Sequence, residues 1–324
     1  MNVQEMVSLL MLRLGDKSNR SLSKVQYTTE MNDAQNSLVK LIPFNHLKSL
    51  YTRAQIKKAA GADWSTSNNF FDLEQLRTDR DTGASTNQVD RVVDEGVTRE
   101  LIDLVYVIGK KTGVGFDASG ERFYKIIPAK DLESTRGTML EGDSNRPTVS
   151  LQWGANGRGL YFYPNPEAGE TIHVCYLGAP RDMEYSITLT SADEVVGVPG
   201  RYIVVVPTMK RQWPGYYNGM YIYDYETKAR YRILDSYFDG TDHVLDISTL
   251  GDYTGINEIA ANDVISIESE FPEYLQDLIV DYTESQRWGI LKDSTRQQLV
   301  YKRIVDKINA IGGNLSGHDS EQPS

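Results

Sequence analysis

Val3, Met6, Val7, Leu10 and Leu14 recur in steps of three and four, which places them along one side of a helix. Gly15 supplies its stop. A second helix is predicted from about Thr29 to Ile42, with Met31, Ala34, Leu38 and Leu41 on one face. Pro43 interrupts it, because its ring removes a backbone donor and crowds the preceding turn. Leu47, Leu50, Tyr51 and Ala54 continue a helical pattern towards Gly61, so residues 1–60 read as two or three helices.

Residues 61–96 are a long polar connection (WSTSNN, RTDRDTGASTNQ). From Val97 the texture changes. LIDLVYVIG, FYKIIPA, PTVSLQW, GLYFYPNP and TIHVCYLGAP are short β-rich runs separated by Gly, Asn, Asp and Pro, which predicts a first antiparallel β module over 97–184. Asn156-Gly157 marks a hairpin, since both residues accept positive φ. A second, tyrosine-rich β module over 185–270 contains RYIVVVPT, read as a buried strand, the alternating runs GMYIYDY and RYRILDSYF, and a further turn at Asn218-Gly219.

The chain then returns to helical spacing. Pro272 suits a first helical turn, and Phe271, Leu275, Leu278, Ile279 and Tyr282 form a stripe that Ser285 and Gly289 extend with small residues. A last helix from about Ser294 carries Val300, Ile304, Ile308 and Ile311 and ends at Gly312-Gly313. Apolar stripes at both ends of the chain must be buried, and each is the other's obvious cover. The predicted fold is therefore α+β: a helical bundle of residues 1–60 and 271–311 with antiparallel β-sandwich or barrel modules inserted between its halves. Residues 312–324 form a polar, flexible tail.

One patch exceeds what that bundle needs. Val280, Trp288 and Leu291 lie on the reverse of the first C-terminal helix, interleaved with Asp277, Asp281 and Glu284. Either another part of the chain covers it or a neighbouring subunit does. With Ile304, Ile308 and Gly312 it forms the expected subunit interface.

A net charge of −11 argues against non-specific binding to nucleic acid or an anionic membrane. No run approaches the roughly 18 apolar residues of a membrane span, and the opening MNVQEMVSLLMLRLG reads as a mature helix because Glu5 and the helical spacing do not suit a leader. The single cysteine, Cys175, excludes an intramolecular disulfide and a multi-cysteine metal site.

Chemistry is sparsely signposted. GKKTG at 109–113 fails as a phosphate loop because Leu104 stands where a glycine is needed, and TGVGFDASGERF lacks a following helix. His46, His173, His243 and His318 show no metal-ligand spacing. His173 and Cys175 are expected to point apart, which sets them aside as a nucleophile–base pair. Asp235, Asp239, Asp242 and Asp246 read as turn-forming acids, and Glu141 and Asp143 nominate no glycosidase. Tyr202, Tyr216, Tyr217, Tyr221, Tyr223, Tyr225, Tyr231 and Tyr237 could stack sugars or bases, but tyrosine also fills sheet faces. Lys210, Arg211, Lys228, Arg230 and Arg232 lie among them, balanced by the overall acidity.

The order VQEMVSLLMLRLGD, MNDAQNSLVKLI, PTVSLQWGANGRGLYFYPNPEAGETIHVCYLGAP and FPEYLQDLIVDYTESQRWGILKD resembles the head-to-tail connector, or adaptor, proteins of tailed bacteriophages. The resemblance covers about half the chain and departs from compact members at 61–96 and 185–270. It implies a non-enzymatic virion protein without cofactor or metal, assembled in the host cytoplasm. Copies would form a twelvefold ring beneath the portal protein, extend the DNA channel and present a platform to tail or neck proteins. DNA would pass without sequence-specific binding, and no membrane would be involved. The alternative is a carbohydrate- or surface-binding protein that uses the tyrosine-rich module.

Overall fold

The computed structural model describes residues 1–16, 21–56, 70–72, 92–93, 101–111, 120–129, 147–154, 157–167, 170–207, 209–212, 214–249 and 258–312. The fold is α+β, with four helices and two sheets among the described residues, one of the sheets a curled antiparallel half-barrel. The chain divides into two compact units, Met1–Leu50 with Ala179–Ser324, and Tyr51–Gly178.

In the first unit α1 spans Val3–Leu14. Asn2 and Glu5 cap it reciprocally: the Asn2 side chain accepts from Glu5 N–H, and Glu5 Oε2 accepts from Asn2 N–H, each at 2.9 Å. Gly15 ends it at φ 73°, a left-handed conformation that glycine adopts without a Cβ penalty. Helix α2 spans Lys24–Leu38 and starts earlier than the apolar stripe alone suggests, because Ser23 and Gln26 form a second capping box.

The helical reading of Leu47, Leu50, Tyr51 and Ala54 is corrected. Leu47 and Leu50 are buried around two short 3₁₀ turns, Phe44–His46 and Lys48–Leu50, in which a three-residue step is the natural repeat. Tyr51–Ile56 is a strand, β1, and belongs to the second unit. Its aromatic and β-branched residues suit that state once partners exist on both sides.

The second unit holds an eight-stranded sheet among the described residues. It contains β1, β2 (Phe70–Asp72), β3 (Val92–Val93), β4 (Leu101–Lys110), β5 (Glu121–Ile126), β6 (Thr148–Gly154), β7 (Gly157–Tyr163) and β8 (Thr171–Gly178), in the order β2-β7-β6-β5-β4-β8-β1-β3. Only β5 and β6 among these pairs run parallel. Two strands, β2 and β3, arise within the predicted polar connection; its remaining residues, and 112–119, lie outside the described residues. Hairpin β6–β7 is present, but its register pairs Gly154 with Gly157, so Gly157 is in the ladder. Asn156 lies outside the described residues. Leu104, Val107, Tyr124, Val149, Leu160, Phe162, Ile172, Val174 and Tyr176 fill this unit's core.

The first unit's sheet is antiparallel throughout: β9 (Glu184–Thr188), β10 (Ser191–Glu194), β11 (Arg201–Val206), β12 (Tyr221–Asp224), β13 (Arg230–Phe238), β14 (His243–Thr249) and β15 (Val264–Ile267), in the order β10-β11-β14-β13-β12-β15-β9. RYIVVVPT is half-buried rather than buried. Tyr202, Val204 and Val206 point inward, while Arg201, Ile203 and Val205 are partly exposed, as the two-residue period of a strand requires. The turn at Asn218-Gly219 forms, with Met220 N–H bonded to Tyr217 O at 3.1 Å and Gly219 at φ 81°.

Helix α3 spans Glu273–Ile290 behind Pro272, and α4 spans Ser294–Ala310, capped by Asp293. Helix α3 packs against α1, α2 and α4. The sheet is tied to α2 at both of its chain ends. Asn32 donates to Met183 O at 3.1 Å and accepts from Met183 N–H at 2.9 Å, just before β9. Gln35 donates to Asn32 and accepts from Ser269 Oγ, just after β15. Two buried polar residues in mid-helix thus satisfy the backbone where the chain enters the sheet and a side chain where it leaves.

Candidate functional site

Residues 277, 280, 281, 284, 288 and 291 recur at helical spacing along α3. Val280 is fully buried and Trp288 nearly so, and on α4 Val300, Ile304 and Ile308 are buried as well. The expectation that Val280, Trp288, Ile304 and Ile308 face another subunit is therefore corrected: the chain buries them itself. Trp288 Nε1–H points to Glu284 Oε1 at 3.3 Å, and the Arg296 guanidinium lies 4.5 Å from the Trp288 ring centroid. Leu291 and Gly312 remain exposed. Gly289 does not admit another backbone; the nearest atoms beyond it belong to the Gln297 side chain.

The acids between these apolar residues have built-in partners. Asp281, with no exposed side-chain surface, accepts from Arg13 Nη1 at 2.5 Å, Arg303 Nη2 at 2.9 Å and Lys307 Nζ at 2.7 Å. Glu284 accepts from Arg303 Nη2 at 2.6 Å and lies 3.5 Å from Arg13. Two buried carboxylates facing three cations avoid the large cost of an uncompensated internal charge. Arg303 and Lys307 stand four apart on α4, the spacing that brings both onto one face. That spacing was the signal available in the sequence.

The apolar surface left open lies elsewhere on the helices. Leu12, Val25, Tyr274, Ile290, Leu299 and Tyr301 are exposed helical residues, and Leu291 follows α3 directly. Ile290 (65%), Leu291 (55%) and Leu299 (66%) bracket the α3–α4 turn.

The residues screened for chemistry have structural partners. Lys110 pairs with Glu121 at 2.7 Å and Lys111 with Glu167 at 3.1 Å. Gly109 lacks a side chain because Glu170 fills that space: a Cβ there would meet Glu170 Oε1 at 1.7 Å. Glu170 is locked by Arg122 and by the Tyr124 hydroxyl at 2.9 Å, and burial together with Glu170 holds Tyr124 above the usual phenol range. His173 and Cys175, two residues apart in β8, share a strand face, which corrects the expectation that they point apart. The thiol meets Tyr106 and Arg53 across the neighbouring strands, and burial raises its pKa, favouring the unreactive thiol.

Asp246 pairs with Arg201, Asp235 accepts from Asn218 and Ser236 N–H, and Asp239 accepts from Thr241 and Asp242 N–H in the β13–β14 turn. Among the described residues no group of three or more His, Cys, Asp or Glu could hold a metal. Glu141, Asp143 and His318 lie outside the described residues. Tyr202, Tyr216, Tyr217 and Tyr231 are core residues, whereas Tyr221 and Tyr237 are exposed. No helix among the described residues is long and apolar enough to cross a membrane.

No protein-family model and no curated protein matches this chain.

Proposed function

We propose that the chain is a structural subunit of a tailed-bacteriophage connector, a ring-forming adaptor beneath the portal that extends the DNA channel and receives tail or neck proteins. In this reading α1 to α4 make the bundle that carries the ring, with the antiparallel sheet of the same unit tied to it through α2. The observation that carries the reading is the set of exposed Ile290, Leu291 and Leu299 beside a helical framework whose chain ends are ionically joined. Large apolar side chains held at a rigid helix turn suit a contact with a second copy. The chain's net charge of −11 suits a channel through which DNA slides without being held.

The test is a Leu291→Asp, Leu299→Asp double variant examined by electron microscopy with the portal ring. The folded variant is expected to lose ring assembly while the unaltered chain retains it; assembly unchanged by both charges would remove this surface from the proposal. Glycan binding by the tyrosine-rich module is the weaker reading, since Tyr202, Tyr216, Tyr217 and Tyr231, four of the eight tyrosines considered for it, are committed to the core.

A further inference from the structure

Between β11 and the turn at residues 214–219 the chain crosses His243. Met209 N–H donates to His243 Nδ1 at 3.0 Å, and His243 Nε2 lies 2.8 Å from Arg211 O. A carbonyl can only accept, so Nε2 carries the proton and Nδ1 offers its lone pair. A single neutral tautomer satisfies both bonds. The intervening contacts also end on side chains: Lys210 N–H reaches Glu184 Oε1 at 3.3 Å and Arg211 N–H reaches the Tyr217 hydroxyl at 3.2 Å. Lys210 Nζ and Arg211 Nε each stand 3.1 Å from Asp182.

The imidazolium cannot make this clamp. With both ring nitrogens protonated, Nδ1–H would face Met209 N–H, donor against donor, in a position almost closed to water. We propose that His243 is a proton-operated latch: neutral, it holds residues 209–211 against the sheet, and protonated, it releases them and frees Lys210 and Arg211 from Asp182.

The surroundings set the direction of the switch. Burial lowers the His243 pKa below 6.5, opposed by the Arg211 carbonyl and by Asp239 and Asp242 of the β13–β14 turn. Tyr217 and Phe238 place their rings beside the imidazole, at 6.4 and 5.1 Å between centroids. Glu184 reaches it only through the Tyr217 hydroxyl, which donates to Glu184 Oε1 at 3.0 Å. Protonating the other Glu184 oxygen leaves that acceptor in place, so His243 is the group whose charge is incompatible with closure. Because its folded pKa is depressed, the closed form is complete above pH 6.5 and is lost as pH falls through the folded value.

Hydrogen exchange of the full-length chain between about pH 7.5 and 5, corrected for the intrinsic rate, tests the latch, with the His243 ring followed by NMR in the same samples. Protection of the 209–211 amides is expected to fall about tenfold or more in step with His243 titration, while β11 and β14 stay protected. In His243→Gln, which does not titrate, that step should vanish. Three results would each overturn the latch: 209–211 protection that persists through His243 titration, loss that spreads equally through β11 and β14, or the same step in the Gln variant. A ring that stays neutral down to pH 5 would overturn it as well.

Discussion

Arg13 Nη1 and Asp281 Oδ1 meet at 2.5 Å although 268 positions separate them in the chain. Each lies on an amphipathic helix, and Asp281 is sealed from solvent. Removing the carboxylate would leave Arg13 without its closest acid, Arg303 with Glu284 alone and Lys307 with only the more distant Asp277. Asp281→Ala is expected to lower stability by about 3 kcal/mol, the lower end for breaking a buried pair because Arg303 and Lys307 are partly exposed. Asp277→Ala, whose carboxylate is half exposed and 3.8 Å from Lys307, should change it by less than about 0.5 kcal/mol. Urea midpoints at constant slope report both.

The two glycines with close neighbours should respond differently. Gly109→Ala would drive a methyl group into Glu170, which Arg122 and Tyr124 hold in place, and should cost more than about 2 kcal/mol. Gly289→Ala meets only the end of a flexible Gln297 side chain, while alanine improves the helix by about 1 kcal/mol. Its melting temperature should stay level or rise.

Burial raises the pKa of Glu268, where Arg230 binds one carboxylate oxygen and the other has no hydrogen-bond partner. A raised folded pKa means that its contribution is fullest below the unfolded value of 4.5 and declines as pH rises through the folded one. Glu268→Gln should therefore raise stability at neutral pH relative to the unaltered chain and flatten the profile above pH 4.5. Denaturant titrations at several pH values read this directly, and an unchanged profile would show that Glu268 folds without a shifted pKa.

Asn32 joins α2 to both backbone groups of Met183. Asn32→Leu leaves that buried N–H and carbonyl without their partner and should cost about 2 kcal/mol. Faster amide exchange at Met183 should accompany the loss.

Much of this architecture was legible locally, for identifiable reasons. The stripe Val3, Met6, Val7, Leu10 names the buried side of α1, and strand texture marks most of both sheets. Local periodicity was silent where a distant partner decides the outcome. Steps of three at Leu47 and Leu50 suit a 3₁₀ turn as well as an α-helix, and pairing with β3 and β8 makes the following residues a strand. Trp288 read as surplus because its cover includes Arg296, brought over it only when α4 folds back along α3. Local spacing does not pair Asp281 with Arg13, because that cation lies at the far end of the chain. The start of α2 could have been read from Ser23 and Gln26, a reciprocal cap that apolar spacing alone does not reveal.

The connector proposal is tested most directly by quantitative mass spectrometry of purified phage particles produced from the genome that encodes this chain. The chain is expected to be a particle component in a ring's stoichiometry, matched to the portal subunits. Particles complete with head and tail but lacking the chain would contradict the account.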